Sequence, residues 1–171
     1  MSRRIFSYFI VLCAVAATFV LPASANAAWA TLQFGGASNS CVDIPSGADT
    51  NYGRNLGIWV QAYGCHGGNP QTFDIVHRGS GRYSIRSAQS GYCLDVQASG
   101  TANGTPVIQY YCNSNQANQL WTLPYSSYGN GWRFIKSVSS GKCFAIPTST
   151  NRAVITSCAT TPTQAYRTLY Y

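Results

Sequence analysis

Beyond residue 27 no window of this chain repeats its apolar positions on a helical period. Apolar and polar residues alternate instead over short runs, or β-branched residues bunch together. Thr31-Leu32-Gln33-Phe34, Tyr83-Ser84-Ile85-Arg86 and Trp132-Arg133-Phe134-Ile135 are such runs, as are Cys41-Val42-Asp43-Ile44 and Cys93-Leu94-Asp95-Val96. Gly, Asn, Ser and Pro separate them. Short strands between turn residues predict an all-β chain.

The runs recur. Cys41, Cys93 and Cys143 lie about 50 residues apart, as do Gln71, Gln119 and Gln164. Each copy has an opening strand, a Cys-led strand, and a third strand ending in a second cysteine. It closes on a Gln-x-aromatic: Gln71-Thr72-Phe73, Gln119-Leu120-Trp121 and Gln164-Ala165-Tyr166. The copies span about 28–76, 77–124 and 125–171. Four strands in each of three copies predict a twelve-stranded closed assembly, because closure removes exposed edges. Phe73, Trp121 and Tyr166 are expected in its shared core.

The first 27 residues differ from the rest. Arg3 and Arg4 precede an apolar run from Ile5 to Leu21, and Ala23-Ser24-Ala25 and Ala25-Asn26-Ala27 both suit a small-x-small cleavage site. This is the pattern of a secretory signal peptide, with Cys13 lost alongside it. The run is at the short end for a membrane span and has no stop-transfer flank, so no stable membrane insertion is expected. Residues 28–171 then form one exported domain, extracellular or periplasmic.

Charge adds a little. Eleven Lys and Arg stand against four acidic residues, all Asp, for a net charge of +7; loss of Arg3 and Arg4 leaves +5. Arg78, Arg82 and Arg86 are the one basic cluster. A basic balance favours anionic cell surfaces or sulfated glycans, and no nucleic-acid motif accompanies it.

Six cysteines remain after the leader: Cys41, Cys65, Cys93, Cys112, Cys143 and Cys158. An even count in an exported chain implies disulfides, and spacing alone leaves fifteen pairings open. The repeat makes one pair per copy the simplest: 41–65, 93–112 and 143–158. Loops of that size contribute roughly 3 kcal/mol each in the chain-entropy account. Because side chains alternate faces along a strand, a disulfide clipping two antiparallel strands is expected to put Asp95 opposite Tyr110. By the same logic Asp43 falls opposite Tyr63, and Ala145 opposite Thr156.

A carboxylate near an aromatic ring suits one ligand class. An ionised carboxylate accepts two charge-assisted hydrogen bonds from neighbouring hydroxyls. An aromatic face covers an apolar C–H face while the polar edges stay wet. A pyranose offers both surfaces. Taken alone, Asp95 reads as a turn cap and Tyr110 as strand surface; the second instance, Asp43 with Tyr63, shifts the reading toward a binding site.

These features together resemble the ricin-type β-trefoil lectin family. The carriers are Cys-Leu-Asp-Val at 93–96, an aromatic two residues before the second cysteine, and Asn-Gln-Leu-Trp at 118–121. The likeness covers nearly all of residues 28–171. It implies a pseudo-threefold β-trefoil binding galactose- or xylose-type sugars, up to one per repeat, with no cofactor. Matched position by position, Asp95 is the hydroxyl-binding aspartate, Tyr110 the stacking aromatic, and Asn118 and Gln119 the amide pair. Ile108 stands where the family often has Gln. The middle repeat is therefore the expected main site. The first repeat keeps Asp43, Gln61, Tyr63 and Gln71, with Pro70 in place of Asn and Asn69 as a shifted substitute. The third has Ala145 and Thr156 and is expected to be structural only.

Catalysis is not expected. Glycoside hydrolysis usually needs two carboxyl groups about 5–9.5 Å apart, and Asp43 and Asp95 sit in equivalent places of different repeats. No nucleophile elbow appears, and His66 and His77 read as surface histidines. The cysteines are accounted for in pairs, so no metal site is expected. Asn103-Gly104-Thr105 matches a glycosylation sequon and reads more simply as a turn. The expected partners are glycans or polysaccharide, with a toxin or enzyme chain as a further candidate. The alternative is a cell-surface- or protein-binding trefoil subunit of a secreted toxin or complex.

Overall fold

The computed structural model describes residues 29–48 and 50–170, the side chain of Tyr170 excepted. The expected leader at 1–27 and Asp49 lie outside the described residues. The first repeat supplies β1 (Trp29–Phe34), β2 (Ser40–Asp43), β3 (Gln61–Gly64) and β4 (Thr72–His77). The second supplies β5 (Tyr83–Ser87), β6 (Cys93–Val96), β7 (Thr105–Tyr110) and β8 (Trp121–Thr122). The third supplies β9 (Lys136–Ser137), β10 (Cys143–Ala145), β11 (Val154–Thr156) and β12 (Tyr166–Tyr170). Among the described residues these twelve strands are joined by turns and four single 3-10 turns. No helix among them is long and apolar enough to cross a membrane.

The pairings close on themselves. β1 pairs with β4, β4 with β5, β5 with β8, and β8 with β9. β12 returns to β1, and the bridge between Arg133 and Tyr166 closes the ring. The three remaining hairpins, β2–β3, β6–β7 and β10–β11, cover one end. They touch through β7–β11 pairing and through bridges from Trp59 to Ile108 and from Gln61 to Arg152. A barrel capped by three hairpins is the β-trefoil.

The core runs along the axis. Phe73 and Trp121 are fully buried and Tyr166 nearly so, as the Gln-x-aromatic pattern predicts. Phe144 stands edge-on to both Trp121 and Tyr166, at 6.3 and 5.0 Å between ring centroids. Such pairs add about 0.5–1.5 kcal/mol beyond the area they bury.

One expected strand moves. Trp132–Ile135 is not a regular strand; the third repeat opens at Lys136–Ser137 instead. Arg133 holds its place through isolated bridges to Tyr125 and Tyr166. Phe134 donates to the carbonyl of Pro124, but Pro124 has no N–H to return a bond, so the ladder breaks there.

The disulfides are 41–65, 93–112 and 143–158, one per repeat. Each second cysteine lies beyond the end of its strand. The cross-strand partner of Cys93 is Tyr110, that of Cys41 is Tyr63, and that of Cys143 is Thr156. The expected register was therefore wrong by two residues. Asp95 faces Ile108, Asp43 faces Gln61 and Ala145 faces Val154. The disulfide spans the splayed end of each hairpin and does not clip directly opposed residues.

A buried glutamine completes each splayed end. Gln71 donates to the Gly64 carbonyl (2.8 Å) and accepts from the His66 amide (2.8 Å). Gln119 does the same with Tyr111 and Asn113, at 2.8 and 2.7 Å, and Gln164 with Ser157 and Ala159, at 3.0 and 2.8 Å. In every case the side chain brackets the second cysteine. Each glutamine ends a 3-10 turn, which sets its distance from the hairpin.

Gln164→Ala isolates this bracket from any candidate site. It leaves a carbonyl and an amide without partners, and the expected loss is about 1–3 kcal/mol. Urea unfolding at fixed pH checks the value; an unchanged midpoint contradicts it.

Candidate functional site

In the middle repeat β6 and β7 present Cys93, Asp95, Ile108 and Tyr110 on one face, opposite the core-facing Leu94, Val96 and Val107. Tyr110 pairs with Cys93, so it lies diagonal to Asp95. Diagonal neighbours of that kind are roughly 7–8 Å apart. That spacing leaves room for a small ring between carboxylate and aromatic, which direct opposition would not.

Asp95 is nearly buried. Its Oδ2 accepts from Asn118 Nδ2 at 3.0 Å and Gln119 Nε2 at 2.8 Å. Asn118 also donates to the Val96 carbonyl at 3.2 Å. Both amides come from the 3-10 turn Ala117–Gln119, so one turn fixes the carboxylate. Burial raises the pKa of Asp95 above its ordinary 3.8, and the hydrogen bonds from Gln119 and Asn118 offset part of that rise.

Tyr110 is 44% exposed and does not stand alone. Tyr111 packs edge-on against it at 5.7 Å, and Tyr92 against Tyr111 at 5.3 Å. Ile108 is buried opposite Asp95 and also borders a cleft of about 330 Å³ that Trp59, Pro106 and Arg152 share. It supplies an apolar wall and no polar contact.

The first repeat repeats the plan with different donors. Asp43 is nearly buried, and its Oδ1 accepts from Gln61 Nε2, directly across the ladder, at 2.8 Å. Its Oδ2 lies 3.6 Å from His66 Nε2. His66 Nδ1 accepts from the Gly68 amide at 3.1 Å, which turns Nε2 toward Asp43. Tyr63 is 59% exposed and stands edge-on to His66 at 6.2 Å. Asp43, Pro45, Ser46, Gln61, Tyr63 and His66 line an open cleft of about 320 Å³. The third repeat brings Ala145 and Thr156 to these places and offers no carboxylate.

Two of the expected site residues are held by the chain itself. Gln71 and Gln119 were expected among the ligand-facing amides. Both are buried, and both use the amide oxygen and nitrogen on the chain itself. Gln119 also donates to Asp95. Asn69 does not replace the missing Asn; Asp43 is met by Gln61 and His66. His66, Tyr111 and Tyr92 were not in the expected set. The signal for His66 was available: it directly follows Cys65 in the one Asp-bearing copy that lacks the Asn.

The sequence and fold comparisons follow this geometry. The family model described as the ricin-type beta-trefoil lectin domain matches residues 28–166. Comparison with curated proteins finds no match. The designed threefold-symmetric protein ThreeFoil has a TM-score of 0.72 and 26% identity, over 82% of this chain and 97% of its own. The Rhizoctonia solani agglutinin gives 0.70 and 17%, over 88% and 100%. An exo-beta-1,3-galactanase from Clostridium thermocellum gives 0.73 and 21%, over 86% of this chain but 31% of its own. At the last two identities the likeness is one of fold.

The raised pKa of Asp95 has a definite sign. Between 3.8 and its folded value the native state holds the proton more tightly than the unfolded chain, so Asp95 favours folding as pH falls through that window. A carboxyl-detected NMR titration is expected to put its midpoint above 3.8. The stability of wild type relative to Asp95→Asn is expected to rise as pH falls through that midpoint. A midpoint at or below 3.8 contradicts the burial argument.

Proposed function

The chain belongs to the ricin-type β-trefoil lectin family, and we propose that it is a secreted, non-catalytic protein that binds galactose- or xylose-type sugars. The middle repeat is its main site and the first repeat its second. The observation that carries this reading is a carboxylate held by side-chain donors beside an exposed tyrosine on the same hairpin face, present twice. Asp95 has Asn118, Gln119 and Tyr110; Asp43 has Gln61, His66 and Tyr63. At Asp95 both donors fall on Oδ2 and leave Oδ1 for vicinal hydroxyls; at Asp43 Gln61 holds Oδ1, and the remaining lone pairs serve the same purpose. The tyrosine then covers the apolar face of the ring.

The middle repeat ranks first because two amides from one turn fix its carboxylate and three tyrosines flank it. The first repeat has an open cleft beside its carboxylate. The absence of catalysis is supported by the surroundings of the three described carboxylates. Asp43 and Asp95 lie in separate hairpins, and Asp74 is paired with Arg86 at 2.8 Å. Single shallow sites of this kind bind weakly, so two sites on one chain raise avidity for a polymer that reaches both. A toxin or enzyme chain joined to this domain would be held near polysaccharide in the same way.

A glycan array run with residues 28–171 and with Asp95→Ala, Asp43→Ala and the double variant tests this. Galactose- or xylose-type signals are expected, weakened most by Asp95→Ala and lost in the double variant. Each lost hydrogen-bonded contact is expected to reduce affinity about tenfold or more. Unchanged binding in a folded double variant contradicts the proposal.

A further inference from the structure

The three described carboxylates account for their own surroundings: Asp43 with Gln61 and His66, Asp74 with Arg86, and Asp95 with Asn118 and Gln119. Of the basic cluster at 78–86, only Arg86 is neutralised. Arg78 and Arg82 close the β4–β5 hairpin, where the Arg78 amide donates to the Arg82 carbonyl at 2.7 Å. The two side chains therefore sit across the ladder from each other, one step beyond His77 and Tyr83. Like charges directly opposite destabilise a hairpin. Among the described residues no carboxylate pairs with either guanidinium.

Both arginines line a cleft of about 470 Å³. Its other wall is Ser114 and Asn115, from the loop that follows Cys112, and Leu120 and Val138 add apolar surface. The Nε of Arg78 donates to Ser84 Oγ at 2.9 Å, and that of Arg82 to the Gly79 carbonyl at 3.4 Å. These bonds orient the two guanidiniums through Nε and leave the terminal amino groups uncommitted beside the cleft that both residues line. The third-repeat arginines differ: Arg133 stacks on Tyr125 at 4.0 Å, Arg152 on Trp59 at 3.8 Å and Arg167 on Trp132 at 5.1 Å. The wall carrying Ser114 and Asn115 leads directly into Asn118 and Gln119, which hold Asp95.

We propose that the Arg78–Arg82 cleft is an anion-binding site for an acidic saccharide, one bearing a sulfate ester or a carboxylate. Two guanidinium forks pair with such a group through charge-assisted bonds. Ser114 and Asn115 supply hydroxyl and amide groups for the sugar's own hydroxyls. The volume is in the range of small-ligand sites. The anion site stands on its own residues. The choice of a saccharide as its carrier rests on the function proposed above and on the loop the two sites share.

Titration calorimetry with residues 28–171 tests it, using a heparin-derived oligosaccharide, an oligogalacturonate, a neutral xylo-oligosaccharide and a DNA oligomer. At least one acidic saccharide is expected to bind more tightly than the neutral one, and more weakly as salt rises. Arg78→Ala/Arg82→Ala is expected to reduce that affinity at least about tenfold. The charge-matched Arg54→Ala/Arg167→Ala is expected to change it by less than about twofold. Arg78→Lys/Arg82→Lys, which keeps charge without the fork, should fall between. Near-UV circular dichroism verifies that each variant is folded. Asp43→Ala/Asp95→Ala should leave acidic-saccharide binding intact even if neutral-sugar binding proves absent, which separates the two proposals. The site is overturned by equal losses in both arginine pairs, by loss in the aspartate pair, or by no preference for the acidic saccharides. DNA binding as tight as theirs through Arg78 and Arg82 overturns the saccharide assignment.

Discussion

A buried glutamine bracketing a cysteine is the interaction on which the rest of this molecule depends. Gln71, Gln119 and Gln164 each join the residue before a second cysteine to the residue after it. The disulfide fixes where the end of the hairpin lies; the glutamine fixes how its backbone turns. Together they hold open a splayed hairpin end that ordinary strand pairing would zip shut. The aromatic two residues later then enters the core, so one short motif couples the surface hairpin to the barrel axis.

The three repeats share this frame and differ on the face above it. Where a carboxylate is present it is oriented by whatever donors the frame supplies: Asn118 and Gln119 for Asp95, Gln61 and His66 for Asp43. The third repeat keeps its disulfide, its glutamine bracket and its core aromatic, but has Ala145 in place of the carboxylate. Frame and face therefore vary separately. A repeat can lose its binding residues and still be required for closure, because β9 and β12 complete the ring.

Much of this was legible in the sequence. The period, the all-β character and the core aromatics followed from spacing, and the cysteine pairing from the repeat. The register failed because sequence patterns record strand faces but not where a strand stops. Cys65, Cys112 and Cys158 read as strand residues, yet each lies past its strand's last pair, and the register moved by two. Gln71 and Gln119 read as ligand amides because their type and place suited that role; only burial showed that the backbone occupies both. His66 was hidden for another reason. It stands near Asp43 where Pro70 leaves no Asn, and its place directly after Cys65 was the only mark of it in the sequence. Trp132–Ile135 had the alternation of a strand, and Pro124, eight or more residues away, removed the donor it needed.

The central claim is that carboxylate-bearing hairpins bind sugar and the third hairpin only supports the fold. Backbone-amide NMR during titration with galactose and with xylose addresses it directly. The account predicts shifts gathered at Asp95, Tyr110, Tyr111 and Asn118, and at Asp43, Tyr63 and His66, with the Ala145–Thr156 hairpin unmoved. Shifts centred on the third hairpin, or none anywhere in a folded protein, would contradict it.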